Sequence, residues 1–290
     1  MAETKERIWE DRYWTTRDGL RLHYREYPGP AWRPPVLCLP GLTRNARDFE
    51  DLAARLSPTW RVLCLEMRGR GDSDYARDSM TYNPHQYIED IEALMAEQAI
   101  ARFVAIGTSL GGLLTMLLAG RNPDRIVAAV LNDIGPEVDP QGIERIRGYV
   151  GQGRNHETWM HAARALQEAQ GDVYPGYEIA DWLRLSKRVM VLGSGGRIAF
   201  DYDMKIAEPF DHDDGTQVAD LWPLWHALSG RPVLLLRGEN SDILPAAAAQ
   251  RMVADLPGAE LVTIPATGHA PTFDEPEAIA AVERLLAKLQ

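Results

Sequence analysis

The sequence predicts an α/β fold, a mostly parallel sheet with helices on both faces. Three observations point there. Short, nearly uninterrupted apolar runs recur at residues 36–39, 61–65, 103–106, 126–131, 233–236 and 261–264. Such runs mark strands buried on both faces. Segments with helical apolar spacing alternate with them. At 290 residues and 45% hydrophobic, the chain is long and apolar enough to bury a large core.

Residues 13–16 and 20–26 flank Arg17-Asp18-Gly19, a turn signal, and read as a hairpin. After the strand at 36–39, Asn45 has the character of a helix N-cap, with Asp48 at the third helical position in a capping-box arrangement. Phe49, Leu52, Ala53 and Leu56 give that helix its apolar face. The strand at 61–65 runs into Glu66-Met67-Arg68-Gly69-Arg70-Gly71-Asp72-Ser73, a glycine-punctuated loop. Tyr87, Ile91, Leu94 and Met95 mark a helix; a strand at 103–106, a buried helix at 113–118 and a strand at 126–131 follow. The pattern breaks over residues 136–228, which read as helical pieces at 142–151, 158–170 and 179–191 and hold Trp159, Trp182, Trp222 and Trp225. Alternation then resumes with a strand at 233–236, a helix at 246–256, a strand at 261–264 and a helix at 277–289.

Composition excludes several classes. No segment approaches the roughly 18 uninterrupted apolar residues of a membrane helix. The first residues contain no apolar signal core, so a cytoplasmic protein without stable membrane association is expected. The net charge of −11 is the wrong sign for a nucleic-acid binder. The bases are 27 Arg and 4 Lys, an imbalance attributed to genomic composition. Cys38 and Cys64 lie in apolar runs without metal-ligand spacing and read as buried, reduced thiols.

The chemistry concentrates in four places. Gly107-Thr108-Ser109-Leu110-Gly111 joins the 103–106 strand to the 113–118 helix, the context of a nucleophile elbow. A strained Ser109 backbone would push the hydroxyl clear of the sheet, and the close passage of neighbouring chain explains Gly107 and Gly111. The turn at Leu39-Pro40-Gly41-Leu42 can aim the Leu42 N–H at the same point as the Leu110 N–H, forming a two-donor oxyanion hole. Gly238-Glu239-Asn240-Ser241-Asp242 and Thr267-Gly268-His269-Ala270 follow late strands, at the carboxyl ends where open α/β sheets build their sites. Asp242 is the preferred acid over Glu239. Asp133, after the 126–131 strand, is the alternative in a relocated triad. The other histidines, His23, His85, His156, His161, His212 and His226, are assigned surface or insertion roles, and Gly193-Ser194-Gly195-Gly196 a turn.

With these motifs in the order Ser109, Asp242, His269, the chain resembles the α/β-hydrolase-fold family in its capped, esterase-like branch. The resemblance covers nearly the whole length and includes the Arg68-to-Ser73 loop; Pro40 stands where many members have His. It implies an eight-stranded sheet, a discontinuous core of residues 1–135 and 229–290, and a helical cap of residues 136–228 inserted between the sixth and seventh core strands. It also implies a serine hydrolase of small to medium, largely apolar carboxylic esters. Ser109 would be the nucleophile, His269 the base, Asp242 its orienting acid, and the Leu42 and Leu110 N–H groups the oxyanion donors. No metal or organic cofactor is required. Lactone opening, C–C hydrolysis of ring-fission products and a catalytically silent receptor are the alternatives. Arg44 is a candidate for a substrate carboxylate, whereas Arg68 is expected to fix its own loop. The insertion tryptophans, Trp159 among them, could line the substrate pocket or pack the cap. The insertion carries 15 acids and 9 bases, much of the acidity between residues 201 and 220, and at a pocket rim this would disfavour anionic substrates.

Overall fold

A computed structural model describes residues 8–211 and 220–289. Part of the acidic run and His212 therefore lie outside the described residues. In chain order the elements begin with β1 (Glu10–Thr15), β2 (Arg21–Tyr27), β3 (Val36–Leu39), α1 (Glu50–Leu56), β4 (Val62–Leu65) and α2 (Pro84–Glu97). Next come β5 (Phe103–Thr108), α3 (Leu110–Arg121), β6 (Ile126–Asn132), α4 (Pro140–Tyr149), α5 (Trp159–Gln170) and α6 (Ile179–Val189). The rest are β7 (Met190–Leu192), β8 (Ile198–Phe200), α7 (Glu208–Asp211), α8 (Trp222–His226), β9 (Val233–Gly238), α9 (Ala246–Asp255), β10 (Ala259–Ile264) and α10 (Pro276–Ala287).

Eight strands form one sheet in the order β1-β2-β4-β3-β5-β6-β9-β10. β1 and β2 are an antiparallel hairpin, and β2 also runs antiparallel to β4. All pairs from β4 to β10 are parallel. The expected mostly parallel sheet is thus present.

The two-residue period of the strands divides the core between the two faces. Leu37, Leu39, Leu63, Leu65, Ala105, Leu131 and Leu235 pack with α2, α3, α8 and α9. Val36, Cys38, Val62, Cys64, Val104, Ile106, Val130, Leu234 and Leu236 pack with α1 and α10. Cys38 and Cys64 sit opposite each other on neighbouring strands, buried and unbridged. Burial pushes the Cys64 thiol up, and its contact with Cys38 pushes the same way.

Three local expectations need correction. Asn45 does cap, accepting from the Arg47 N–H, but it opens a 3-10 turn at Ala46–Phe49 before α1 begins. Asp48 closes no capping box, because its carboxylate is taken by Arg44. Residues 136–228 are also not purely helical: β7 and β8 form an antiparallel hairpin. Gly193 to Gly196 make its turn, with Gly196 at φ +71. Three-residue strands are too short to show a period. Finally, His23 is fully buried on β2, hydrogen-bonded to Glu66.

A separate apolar cluster joins α5, α6 and the hairpin through Ala162, Ala163, Leu166, Trp182, Leu185, Val189 and Ile198. Among the described residues no helix is long and apolar enough to cross a membrane.

Candidate active site

Ser109 stands between β5 and α3 with φ 51 and ψ −115, a strained conformation for a residue with a side chain. Close packing enforces it. A Cβ on Gly111 would overlap the Leu39 carbonyl, and one on Gly107 would overlap the Gly111 carbonyl. The Ser109 N–H donates to the Asn132 carbonyl at 2.9 Å, anchoring the elbow to β6.

His269 lies in the loop after β10. Its Nε2 is 2.9 Å from Ser109 Oγ. Its Nδ1 is 2.7 Å from Oδ2 of Asp133. Asp133 follows β6 directly, at φ 58, with a fully buried side chain. Its Oδ1 accepts from the Gly238 N–H at 2.9 Å and its Oδ2 from Ser241 Oγ at 2.6 Å. A buried carboxyl with these donors is held as an acceptor.

The expectation of Asp242 beside His269 is therefore corrected. Asp242 points to α4 and makes a bidentate ion pair with Arg145, its Oδ1 accepting from Nη2 at 2.8 Å. Partial burial would raise the Asp242 carboxyl, but the Arg145 guanidinium outweighs this and holds it below the usual carboxylate range. The reason is geometric. β6 lies between β5 and β9, one strand from Ser109, so the first residue beyond β6 is already under the imidazole. Asp242 stands four residues beyond β9, in a turn where the Ser241 hydroxyl faces Asp133 and accepts from the Ile243 and Leu244 N–H groups. Glu239 is further removed, accepting from the Ala266 N–H.

The loop bearing His269 is fastened from several sides. The Asn132 amide donates to the Pro271 carbonyl, Tyr174 Oη donates to the Ala270 carbonyl, and the Gly268 N–H donates to the Val173 carbonyl at 2.7 Å.

The turn after β3 lies against the same serine. A Cβ on Gly41 would be 3.8 Å from Ser109 Cβ and 3.3 Å from Arg44 Cγ. The Leu42 carbonyl accepts from Arg70 Nε at 2.8 Å, which fixes the turn. Leu110 is the first residue of α3, where helix N–H groups have no intrahelical acceptor. Among the described residues no acceptor engages the Leu42 or Leu110 N–H.

A cavity opens over Ser109 and His269, with Gly41, Leu42 and Arg44 on one side and Pro271 and Phe273 on another. Arg145, Tyr149, Leu166, Tyr174, Arg188 and Tyr202, all from residues 136–228, complete it. None of the four insertion tryptophans lines it. Trp159 packs on the α5–α6 cluster, Trp182 is buried within it, and Trp222 and Trp225 join the main core. Tyrosines take the place expected for tryptophan. Arg44 does line the cavity, gripped by Asp48. Arg68 is turned away, buried against Asp90 and reaching the exposed Asp18.

The sequence of the α/β hydrolase fold family matches residues 34–276, and the chain belongs to that family. A crystallised α/β hydrolase from Novosphingobium aromaticivorans is 71% identical, superposes with a TM-score of 0.94, and is matched over 97% of this chain and 99% of its own. A 3-hydroxybutyrate-oligomer hydrolase from Cupriavidus necator is 34% identical over 267 residues, 90% of each protein. A 2-(acetamidomethylene)succinate hydrolase from Mesorhizobium japonicum is 26% identical, over 84% of each protein.

Proposed function

We propose that this protein is a serine hydrolase that cleaves carboxylic esters through an acyl-enzyme. The observation that carries the proposal is the relay from Ser109 Oγ through the His269 ring to Asp133, with links of 2.9 and 2.7 Å, at the floor of the cavity. The hydrolase names of the relatives, one of them acting on 3-hydroxybutyrate oligomers, support it.

Ser109 Oγ attacks the ester carbonyl carbon while its proton passes to His269 Nε2. Negative charge collects on the carbonyl oxygen, facing the Leu42 and Leu110 N–H groups and the positive end of α3. Asp133 holds the ring tautomer that leaves Nε2 free, and its charge stabilises the imidazolium. The tetrahedral intermediate collapses, the C–O bond breaks, and the alcohol leaves with the proton from Nε2. Water then gives a proton to His269 as its oxygen attacks the acyl carbon. The acid departs and Ser109 regains its hydrogen.

Residues 136–228 act as a lid over a core of residues 1–135 and 229–290, a division supported by the cavity residues that α4, α5 and α6 contribute. The experiment is labelling with a fluorophosphonate together with a panel of p-nitrophenyl esters, lactones and ring-fission keto acids. Ester turnover and a label absent from Ser109→Ala are the expected results. Turnover of keto acids alone would replace the ester assignment by C–C hydrolysis.

A further inference from the structure

We propose that the substrate carries a free carboxylate, which docks on the Arg44 and Arg145 guanidinium groups beside the scissile ester. The proposal rests on the ester-hydrolase reading and names the substrate class of that same site.

The charged groups around the cavity are distributed unevenly. Among the described residues three arginines line it, Arg44, Arg145 and Arg188, against one carboxylate, Asp48. The acids that hold two of those arginines, Asp242 for Arg145 and Asp51 and Asp274 for Arg188, lie outside its lining. Positive groups therefore face the substrate space and their counter-charges stand behind, an arrangement that favours an anion within a low-dielectric wall. This is the reverse of what the acidity of residues 136–228 suggests.

The three arginines are not equivalent. Arg188 is only 4% exposed, and both its Nη atoms are spent on Asp51 and Asp274, so it ties α6 to two other elements. Arg44 and Arg145 are each gripped side-on. Asp48 takes Nε and Nη2 of Arg44, and Asp242 takes the same two atoms of Arg145. A guanidinium held this way keeps its Nη1 edge outside the ion pair, where a second carboxylate can accept; at Arg145 the Tyr149 hydroxyl is a further neighbour. The Arg145 pair is accessible, with 35% and 39% of its side chains exposed. Arg44 stands beside the nucleophile: its Cγ and Ser109 Cβ flank the same point above Gly41. A carboxylate a few bonds from the ester carbon, on its acyl or alcohol side, can thus reach these two guanidinium groups while the carbonyl lies at Ser109. Tyr149, Tyr174, Phe200 and Tyr202 leave apolar wall for the short chain between the two groups.

The test compares charged substrates with neutral twins in the full-length enzyme. Mono-4-nitrophenyl glutarate is set against its methyl ester, and 3-acetoxybutanoate against 3-acetoxybutanamide. Expected is a kcat/KM preference of about tenfold or more for the acid in at least one pair, falling as salt is added. Arg145→Gln should bring that preference close to parity. Arg44→Lys, which keeps a charge for Asp48, should reduce it in part. Equal rates within both pairs, or a preference untouched in both variants, would overturn the proposal while leaving ester hydrolysis in place. A second readout needs no turnover: glutarate and glutaramide titrated calorimetrically into Ser109→Ala. Glutarate binding that Arg145→Gln abolishes supports the carboxylate site even if no ester is cleaved. Equal binding of the two compounds counts against it.

Discussion

Asp133 Oδ2 sits 2.7 Å from His269 Nδ1, while Asp242, from the loop beyond the next strand, is turned away onto Arg145. One carboxylate is fully buried and takes its donors from Gly238, Ser241 and the imidazole; the other is 39% exposed in an ion pair. The two acids do different jobs. The first is hydrogen-bonded to the His269 ring, and the second joins α4 to the loop after β9.

Ser241 connects these two regions, donating to Asp133 while accepting from two N–H groups of its own turn. Ser241→Ala removes a hydrogen bond to a charged group, an interaction of about 1.5 kcal/mol or more. We expect kcat to fall by roughly tenfold, with KM changing far less. Steady-state kinetics on one ester checks this; an unchanged kcat would show that the other donors suffice.

Arg70 is buried and reaches the Leu42 carbonyl through Nε and the Arg68 carbonyl and Tyr87 Oη through Nη1. It touches no reacting atom and acts by positioning the turn that carries the Leu42 N–H. Loss of a whole oxyanion donor costs about 10²–10³ in kcat. Arg70→Gln should cost less, about tenfold, and mainly in kcat. A KM effect without a kcat effect would assign Arg70 to substrate binding instead.

His23 and Glu66 predict a pH dependence of stability. Burial lowers the His23 imidazole, but Glu66 and Asp11 outweigh burial and raise it above 6.5. Burial raises Glu66, and His23 with two backbone donors outweighs this and brings it below 4.5. For the raised group, the stabilisation is fully present below pH 6.5 and is lost as pH rises through the folded-state value. For the lowered group it is present above pH 4.5 and lost as pH falls through its folded-state value. His23→Gln should therefore destabilise by about 3 kcal/mol near pH ~6 and by less near pH ~9. Urea unfolding of both proteins at the two pH values decides, and an equal loss at both would contradict the pairing.

Local pattern exposed the strands, because residues such as Val36 to Leu39 are buried on both faces and the pattern needs no tertiary knowledge. The elbow was legible for the same kind of reason: Gly107 and Gly111 are required by contacts close in sequence and by β3. The acid was not. Choosing between Asp133 and Asp242 requires knowing that β6 is the neighbour of β5 and that Arg145 from α4 captures Asp242, both long-range facts. The adjacency of Asp133 to the end of β6 was the available signal. Which charges face the cavity was not legible either, since the sequence does not place Asp242, Asp51 and Asp274 outside its lining and Arg44, Arg145 and Arg188 within it. The buried role of His23 depended on Glu66, 43 residues away.

The central claim is that Ser109, His269 and Asp133 act as one unit, and the rate of Ser109 acylation by a fluorophosphonate tests it most directly. Wild type, Asp133→Asn and Asp242→Asn would be followed by intact mass. Asp133→Asn should slow labelling by roughly 10³-fold or more, as expected when the imidazole tautomer is lost, and Asp242→Asn by no more than about tenfold, as for an exposed pair. Wild-type labelling in Asp133→Asn with loss in Asp242→Asn would contradict the account.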